Sequence, residues 1–284
     1  MRWLVVGANG MLGHDLMDGL AARGEAGDSA AGVDREEADI TDPGSIAGFA
    51  EGFDVVVNCA AYTAVDKAEE DEPAAFAVNA VGAANVAREA HRAGARMIQI
   101  STDYVFKGDG TVPYAEDCPL TPLSAYGRTK AAGEWAVRAE CPDSLVVRTA
   151  WLYGAHGSCF PKTIVRAARE RGVLQVIDDQ VGPPTWTVDL VDLLFRLIDS
   201  TAPADTYHGT SSGQASWFEF ARAAVSAAGM DPAIVAPTTS AEYVRPAPRP
   251  AYSVLGHDAL RAVGVEPIGD WAERWAVAAR SVLA

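Results

Sequence analysis

The sequence predicts an α/β fold: a doubly wound parallel sheet, followed by a smaller, mixed α/β part. Three observations predict it. Through the first half, short runs that are apolar throughout alternate with stretches of helical period, the pattern of strands covered by helices on both faces. Three glycines, Gly7, Gly10 and Gly13, stand between the first such run and the first helical stretch. Beyond about residue 150 the alternation loosens.

The elements follow in order. Residues 4–6 are a short apolar strand. Residues 11–22 carry apolar side chains at 11, 12, 16, 17 and 20, a helical period. Residues 30–33 read as a second strand ending at Asp34, and 54–57 as a buried third. Residues 73–93 are alanine-rich with proline in the first turn, which predicts one long helix. A strand at 96–100, a helix at 125–139 and a strand at 145–147 complete the first half. In the second half, 160–170, 188–199, 217–228 and 271–282 read as helices and 174–177 as a strand. A proline-rich loop covers 245–250. The expected division is a Rossmann-like dinucleotide-binding part at 1–150, with segments around 186–210 returning to it, and a mainly substrate-binding part at 151–284. The second part is expected to lie across the C-terminal edge of the sheet, where open α/β sheets bind ligands.

The chain has 284 residues, 49% hydrophobic, with 23 basic and 38 acidic side chains and a net charge of −15. That length holds a full core. The charge repels phosphate backbones and argues against a nucleic-acid partner; a phosphate-bearing ligand must be held by backbone amides and a few local cations. Cys59, Cys118, Cys141 and Cys159 form no CxxC pair, which suits a reducing compartment and a cytoplasmic protein. The apolar run at 3–6 is too short for a signal sequence, and no run approaches the roughly 18 residues that span a bilayer.

Several motifs carry chemistry. In Gly7-Ala8-Asn9-Gly10-Met11-Leu12-Gly13, glycines at a strand-to-helix turn admit a pyrophosphate to the backbone, and the helix N-terminus favours its charge. Asp34 stands where an acid would accept from an adenosine ribose, and Arg35 where a cation would pair with a 2′-phosphate; the two argue for NAD and NADP respectively. Asp39 and Ile40 suit an adenine-edge contact. Tyr126 and Lys130 are four apart on a predicted helix and so share a face. The lysine is expected to lower the phenol's pKa, and the phenol to give a proton to a carbonyl receiving hydride. Thr102, at the end of the 96–100 strand, is placed to donate to that carbonyl. Arg245 and Arg249 are local cations in a loop stiffened by proline. The acidic run 66–72 reads as a solvated helix start, and His14, His91, His156, His208 and His257 show no metal-ligand spacing.

Taken together, residues 7–13, 58–69, 101–106, 126–130 and 178–185 resemble the extended short-chain dehydrogenases, and more narrowly the dTDP-4-dehydrorhamnose reductase family. The resemblance spans nearly the whole chain. It implies reduction of the 4-keto group of a dTDP-6-deoxy-4-keto-hexose with NADPH or NADH, dTDP-4-dehydro-L-rhamnose in the first instance. The alternatives are a related dTDP-4-keto-sugar reductase of a natural-product pathway, of the dihydrostreptose type, a nucleotide-sugar epimerase, or a cofactor-binding regulatory subunit. The resemblance makes Thr102, Tyr126 and Lys130 a catalytic triad. It puts Asn9 to Leu12, Cys59, Ala60, Ala61, Tyr62 and Lys130 against the dinucleotide. It puts Val65, Asp66, Asp103, Trp151, Phe160, Lys162 and Thr163 toward the nucleotide-sugar. Arg249, Ser253 and Leu255 match an RPxxSxL loop that holds the dTDP part. Some family members bind Mg²⁺ through glutamates at a dimer contact; Asp15 and Asp189 fall at two of those places, which leaves the metal, and monomer against homodimer, open.

Overall fold

The computed structural model describes residues 1–24 and 27–284. Six strands form one parallel sheet: β1 (Arg2–Val6), β2 (Ser29–Val33), β3 (Val55–Asn58), β4 (Arg96–Thr102), β5 (Leu145–Thr149) and β6 (Thr206–His208). Their order is β2-β1-β3-β4-β5-β6, with every pairing parallel. Because β1 has β2 on one side and β3 on the other, the chain changes its direction of travel across the sheet there, and a crevice opens beyond the C-terminal strand ends.

The side-chain alternation of each strand divides it between two cores. Trp3 and Val5 of β1, Val55 and Val57 of β3, and Ile98 and Ile100 of β4 face one layer, with Leu12, Leu16 and Leu20 of α1 (Met11–Arg23). Leu4, Val6, Val56 and Met97 face the other, with Val86, Ala87 and Ala90 of α2 (Ala83–Ala93) and Val137 of α3 (Ala125–Glu140). This is why the strands read as apolar throughout.

Three parts differ from the sequence reading. The predicted 73–93 helix is a bent run: Glu72–Phe76, then a π segment Ala77–Gly82, then α2, with a separate short helix at Val65–Glu70 before it. The wide turn carries the buried Asn79, whose side chain accepts from Tyr62 N (2.8 Å) and donates to Tyr62 O (3.1 Å) and Thr129 Oγ1 (3.0 Å). It therefore ties the loop after β3 to α3, a local service of the kind π segments often perform. Strand β6 has no counterpart among the expected strands, being three residues long and without a readable period. Lastly, the acidic run 66–72 is largely engaged rather than solvated: Asp66 pairs with two arginines, Glu69 accepts from Ala125 N (2.7 Å), Asp71 caps a helix, and Glu72 binds Arg128 (2.7 Å).

After β5 the chain adds α4 (Phe160–Arg171), α5 (Thr187–Asp199), α6 (Trp217–Ala227) and α7 (Trp271–Val282). Helix α5 packs on α1, and β6 pairs with β5, so both belong to the main sheet's layers. The remainder is a second, smaller body. Leu174–Ile177 pairs in parallel with Val235–Thr238, and Tyr153, Phe220 and Trp275 pack as a separate core. Among the described residues, no helix is long and apolar enough to cross a membrane.

Candidate active site

A cleft of about 2000 Å³ lies between the strand ends and the second body. Gly7, at φ +81°, opens it. A Cβ there would lie 2.7 Å from Ala60 N, and one at Gly13 would lie 2.2 Å from Gly7 O. Only glycine lets the turn, the loop after β3 and the start of α1 approach so closely. The helix begins at Met11 without a side-chain cap, so its first N–H groups face the cleft mouth unanswered by any side chain, a ready anion site. Asp34 supports this turn from the end of β2, accepting from Asn9 N (3.0 Å) and Arg35 N (2.8 Å). The Arg35 guanidinium is 83% exposed and stands 3.6 Å from Asp39. Hydrogen bonds from the Thr41 hydroxyl and N–H hold the Asp39 carboxyl below its ordinary range. Ile40, Cys59, Ala60, Ala61, Tyr62 and Val65 line the same end. Desolvation pushes the Cys59 thiol up to about 12, so it is no nucleophile.

Helix α3 enters the cleft with Ser124 as its N-cap, accepting from Gly127 N (3.1 Å). Gly127 allows close approach to the turn after β4: a Cβ would lie 2.2 Å from Tyr104 O. That approach sets Tyr126 beside Thr102, whose hydroxyl donates to Asp103 (2.9 Å) and accepts from Tyr104 N (3.2 Å). Lys130, one turn along, is buried and donates to Ile100 O (2.6 Å). Burial pushes its ammonium down to about 8. For Tyr126 the structure reverses the expected shift. Burial raises the phenol above its ordinary value, the Thr102 hydroxyl opposes this, and the Asp103 charge adds to it. The phenol thus keeps its proton at neutral pH. Burial likewise pushes Asp103 up to about 6, with the Ser253 and Thr102 hydroxyls pulling back.

On the far wall Trp151 sits at φ +49°, a backbone region that side chains rarely occupy. Its indole lies flat on Trp217, 3.4 Å between centroids and 4° from parallel. Phe160 leans on Trp217 at 4.4 Å, and Thr163 and Ser253 also line the cleft. Asp66 is not a lining residue: it receives Arg249 (2.9 Å), Arg245 (3.5 Å) and Ala247 N (3.3 Å) and so anchors the proline-rich loop. Nor is Lys162, whose ammonium donates to Ala155 O and Gly157 O. Sequence reasoning missed Trp217, which carries no local signal; only the fold brings it to Trp151.

Asp15 and Asp189 are both engaged by protein groups. Both Asp189 oxygens accept from Arg274 (2.9 and 2.7 Å), and Asp15 accepts from the Thr187 hydroxyl. Asp15 instead comes near Asp18 and His156, a proximity that the linear spacing of the histidines hid.

A glycine turn at the strand-order switch, with a tyrosine–lysine helix beside a threonine at the next strand end, defines an extended short-chain dehydrogenase/reductase. Within that class the chain belongs to the dTDP-4-dehydrorhamnose reductase family. The family model described as "RmlD substrate binding domain" matches residues 1–282. The chain is 46% identical to a dTDP-4-dehydrorhamnose reductase of Streptomyces griseus, covering 95% of this chain and 90% of that one. It is also 46% identical to a probable dTDP-4,6-dihydroxy-2-methyloxan-3-one 4-ketoreductase of Streptomyces antibioticus, covering 95% and 92%. A solved dTDP-4-dehydrorhamnose reductase of Bacillus anthracis, in complex with NADP, superposes with a TM-score of 0.92 at 36% identity, covering 98% of each chain.

Proposed function

We propose that the protein reduces the 4-keto group of a dTDP-6-deoxy-4-keto-hexose, converting dTDP-4-dehydro-L-rhamnose to dTDP-L-rhamnose. The observation that carries this reading is the meeting of Thr102, Tyr126 and Lys130 in one cleft with the Gly7–Gly13 turn. In this reading 1–150, with α5 and β6, holds the dinucleotide, and the rest mainly holds the sugar nucleotide. A bound reduced nicotinamide supplies the hydride. The Thr102 hydroxyl orients the sugar's C4 oxygen, and Tyr126 gives that oxygen a proton as the carbon is reduced. The buried ammonium of Lys130 offsets the negative charge that passes to the phenol. Two guanidiniums, Arg245 and Arg249, face a single carboxylate, Asp66, and the surplus positive charge suits a diphosphate.

The cofactor reading is NADPH or NADH. Asp34 suits a ribose hydroxyl, and the exposed Arg35 guanidinium, paired with Asp39 at 3.6 Å, suits a 2′-phosphate. The four cysteines are unpaired, which supports a reducing, cytoplasmic setting. A second reading, a reductase of another dTDP-4-keto sugar, is favoured by the equal identity to the Streptomyces antibioticus ketoreductase. Parallel incubations with dTDP-4-dehydro-L-rhamnose and with another dTDP-4-keto-6-deoxy sugar, each with NADPH or NADH, followed by loss of reduced-nicotinamide absorbance and NMR of the sugar, test both. Turnover to dTDP-L-rhamnose supports the first reading. Turnover confined to another keto sugar replaces it with the second.

A further inference from the structure

Behind the candidate proton donor lies a buried ion pair that the reaction as derived does not use. Glu134 is on α3 one turn beyond Lys130, so Tyr126, Lys130 and Glu134 run down one side of the helix. Glu134 is 2% exposed and Arg148 of β5 is 3% exposed. The guanidinium binds the carboxylate through Nε (2.9 Å) and Nη2 (2.8 Å), and the Ser101 hydroxyl donates to the same carboxylate at 2.5 Å. Arg148 is completed by Glu116 O (2.9 Å), by the Phe106 ring at 5.0 Å and by His208 Nε2 at 3.5 Å. Burial keeps His208 neutral, pushed down to about 3, and its Nδ1 faces Gly256 O at 2.9 Å. That partner places the ring proton on Nδ1 and leaves Nε2 to accept from Arg148.

Three consecutive residues of β4 thereby serve the site. Ile100 O takes the Lys130 ammonium, Ser101 is fastened to Glu134, and Thr102 presents its hydroxyl to the cleft. A buried ion pair of this kind is a poor source of stability, because desolvation offsets most of its attraction. Its placement has a use beyond packing. We propose that Glu134 is the positioning residue of the reductase site: a buried anion that holds the Lys130 ammonium in its charged form and fixes the end of β4 against α3. The inference deepens the reductase reading and rests on it for the role of Lys130.

The groups around Lys130 support this assignment. From its own helix come Tyr126, one turn before, and Glu134, one turn beyond, and from the loop after β3 the Cys59 thiol; Arg148 of β5 binds Glu134 from behind. Burial is the largest influence on Lys130 and favours its neutral form. Glu134 is the charge that opposes it.

The test reads Lys130 directly, without sugar or cofactor. The chain has four lysines, Lys67, Lys107, Lys130 and Lys162, so NMR of protein carrying ¹³Cε-lysine resolves each titration, and Lys130→Met assigns the signal. Glu134→Gln should move the Lys130 midpoint down by about one pH unit or more. Since that variant strands the Arg148 guanidinium, Glu134→Gln/Arg148→Met, which removes both charges, is measured beside it and should show a smaller downward movement, because the farther cation is lost together with the nearer anion. In turnover, the alkaline limb of the kcat–pH profile should move to lower pH by the same amount, and Glu134→Asp should restore it in part. An unmoved Lys130 titration in folded Glu134→Gln overturns the proposal, as does a uniform fall in kcat with the limb in place. Failure to turn over any dTDP-keto sugar would instead undo the reductase reading and leave the NMR result standing.

Discussion

Gly182→Ala probes the sugar end of the cleft without touching the glycine turn. The new Cβ would stand 2.5 Å from Cε2 and 2.6 Å from Nε1 of Trp151. Ordinary contact begins near 3.4 Å, so the indole must retreat by about 0.9 Å. Trp217 already lies against its face at 3.4 Å, and the backbone of Trp151 is held in a sparsely allowed region, so the ring has little freedom to rotate away. Overpacking of this order costs about 1–3 kcal/mol of stability. A misplacement near 1 Å at a reacting site costs about a hundredfold in rate. The variant should stay folded, bind NADPH within about twofold of wild type, and lose about 10- to 100-fold in kcat/KM for the keto sugar. Cofactor titration by fluorescence, steady-state kinetics and thermal melting measure the three quantities. The Trp151–Trp217 stack should also give an exciton signal in near-ultraviolet circular dichroism that weakens in the variant. A folded Gly182→Ala protein with wild-type kcat/KM would refute the placing of Trp151 at the substrate.

Other outcomes follow from the same geometry. Tyr126→Phe keeps the buried ring and removes the proton, so kcat should fall about 10²- to 10⁴-fold with cofactor affinity unchanged; a loss under tenfold assigns the proton to another group. The raised Asp103 value means that the folded state binds a proton more tightly than the unfolded chain. Stability therefore falls as pH rises from about 4 to about 6, by up to ~3 kcal/mol. Asp103→Asn should remove that slope in urea melts across this range; an unchanged slope means the carboxyl titrates normally. With Arg274 on both oxygens of Asp189, dialysis against a chelator should leave melting temperature and turnover unchanged, and a fall reversed by Mg²⁺ would contradict this. Arg274→Met should cost about 1–3 kcal/mol by leaving Asp189 unanswered, read as a lower denaturation midpoint at constant slope.

Much of the fold was legible because its signals are local. Strands β1 and β3 are apolar on both faces, Gly7 and Gly13 bracket a turn no other residue permits, and Tyr126 and Lys130 share a helix face by period alone. Where the reading failed, the cause was equally physical. Three-residue β6 is too short to carry a period. The π segment at Ala77–Gly82 answers to Asn79, whose partners lie 17 and 50 residues away. The Tyr126 shift was expected from its neighbour in sequence, but burial, which no spacing reveals, outweighed it.

The alternation that builds a parallel sheet, the glycine turn and the residue types for proton transfer are all local, since each depends on residues within a turn or a strand of one another. Which charges meet is settled only by folding. Arg274 answers Asp189, Asp66 is turned to Arg245 and Arg249, Trp217 closes on Trp151, and Arg148 is buried against Glu134 behind Lys130. These pairs lie far apart along the chain or on separate elements, and their energies depend on distance and desolvation, which exist only once the sheet has brought its strand ends to one edge.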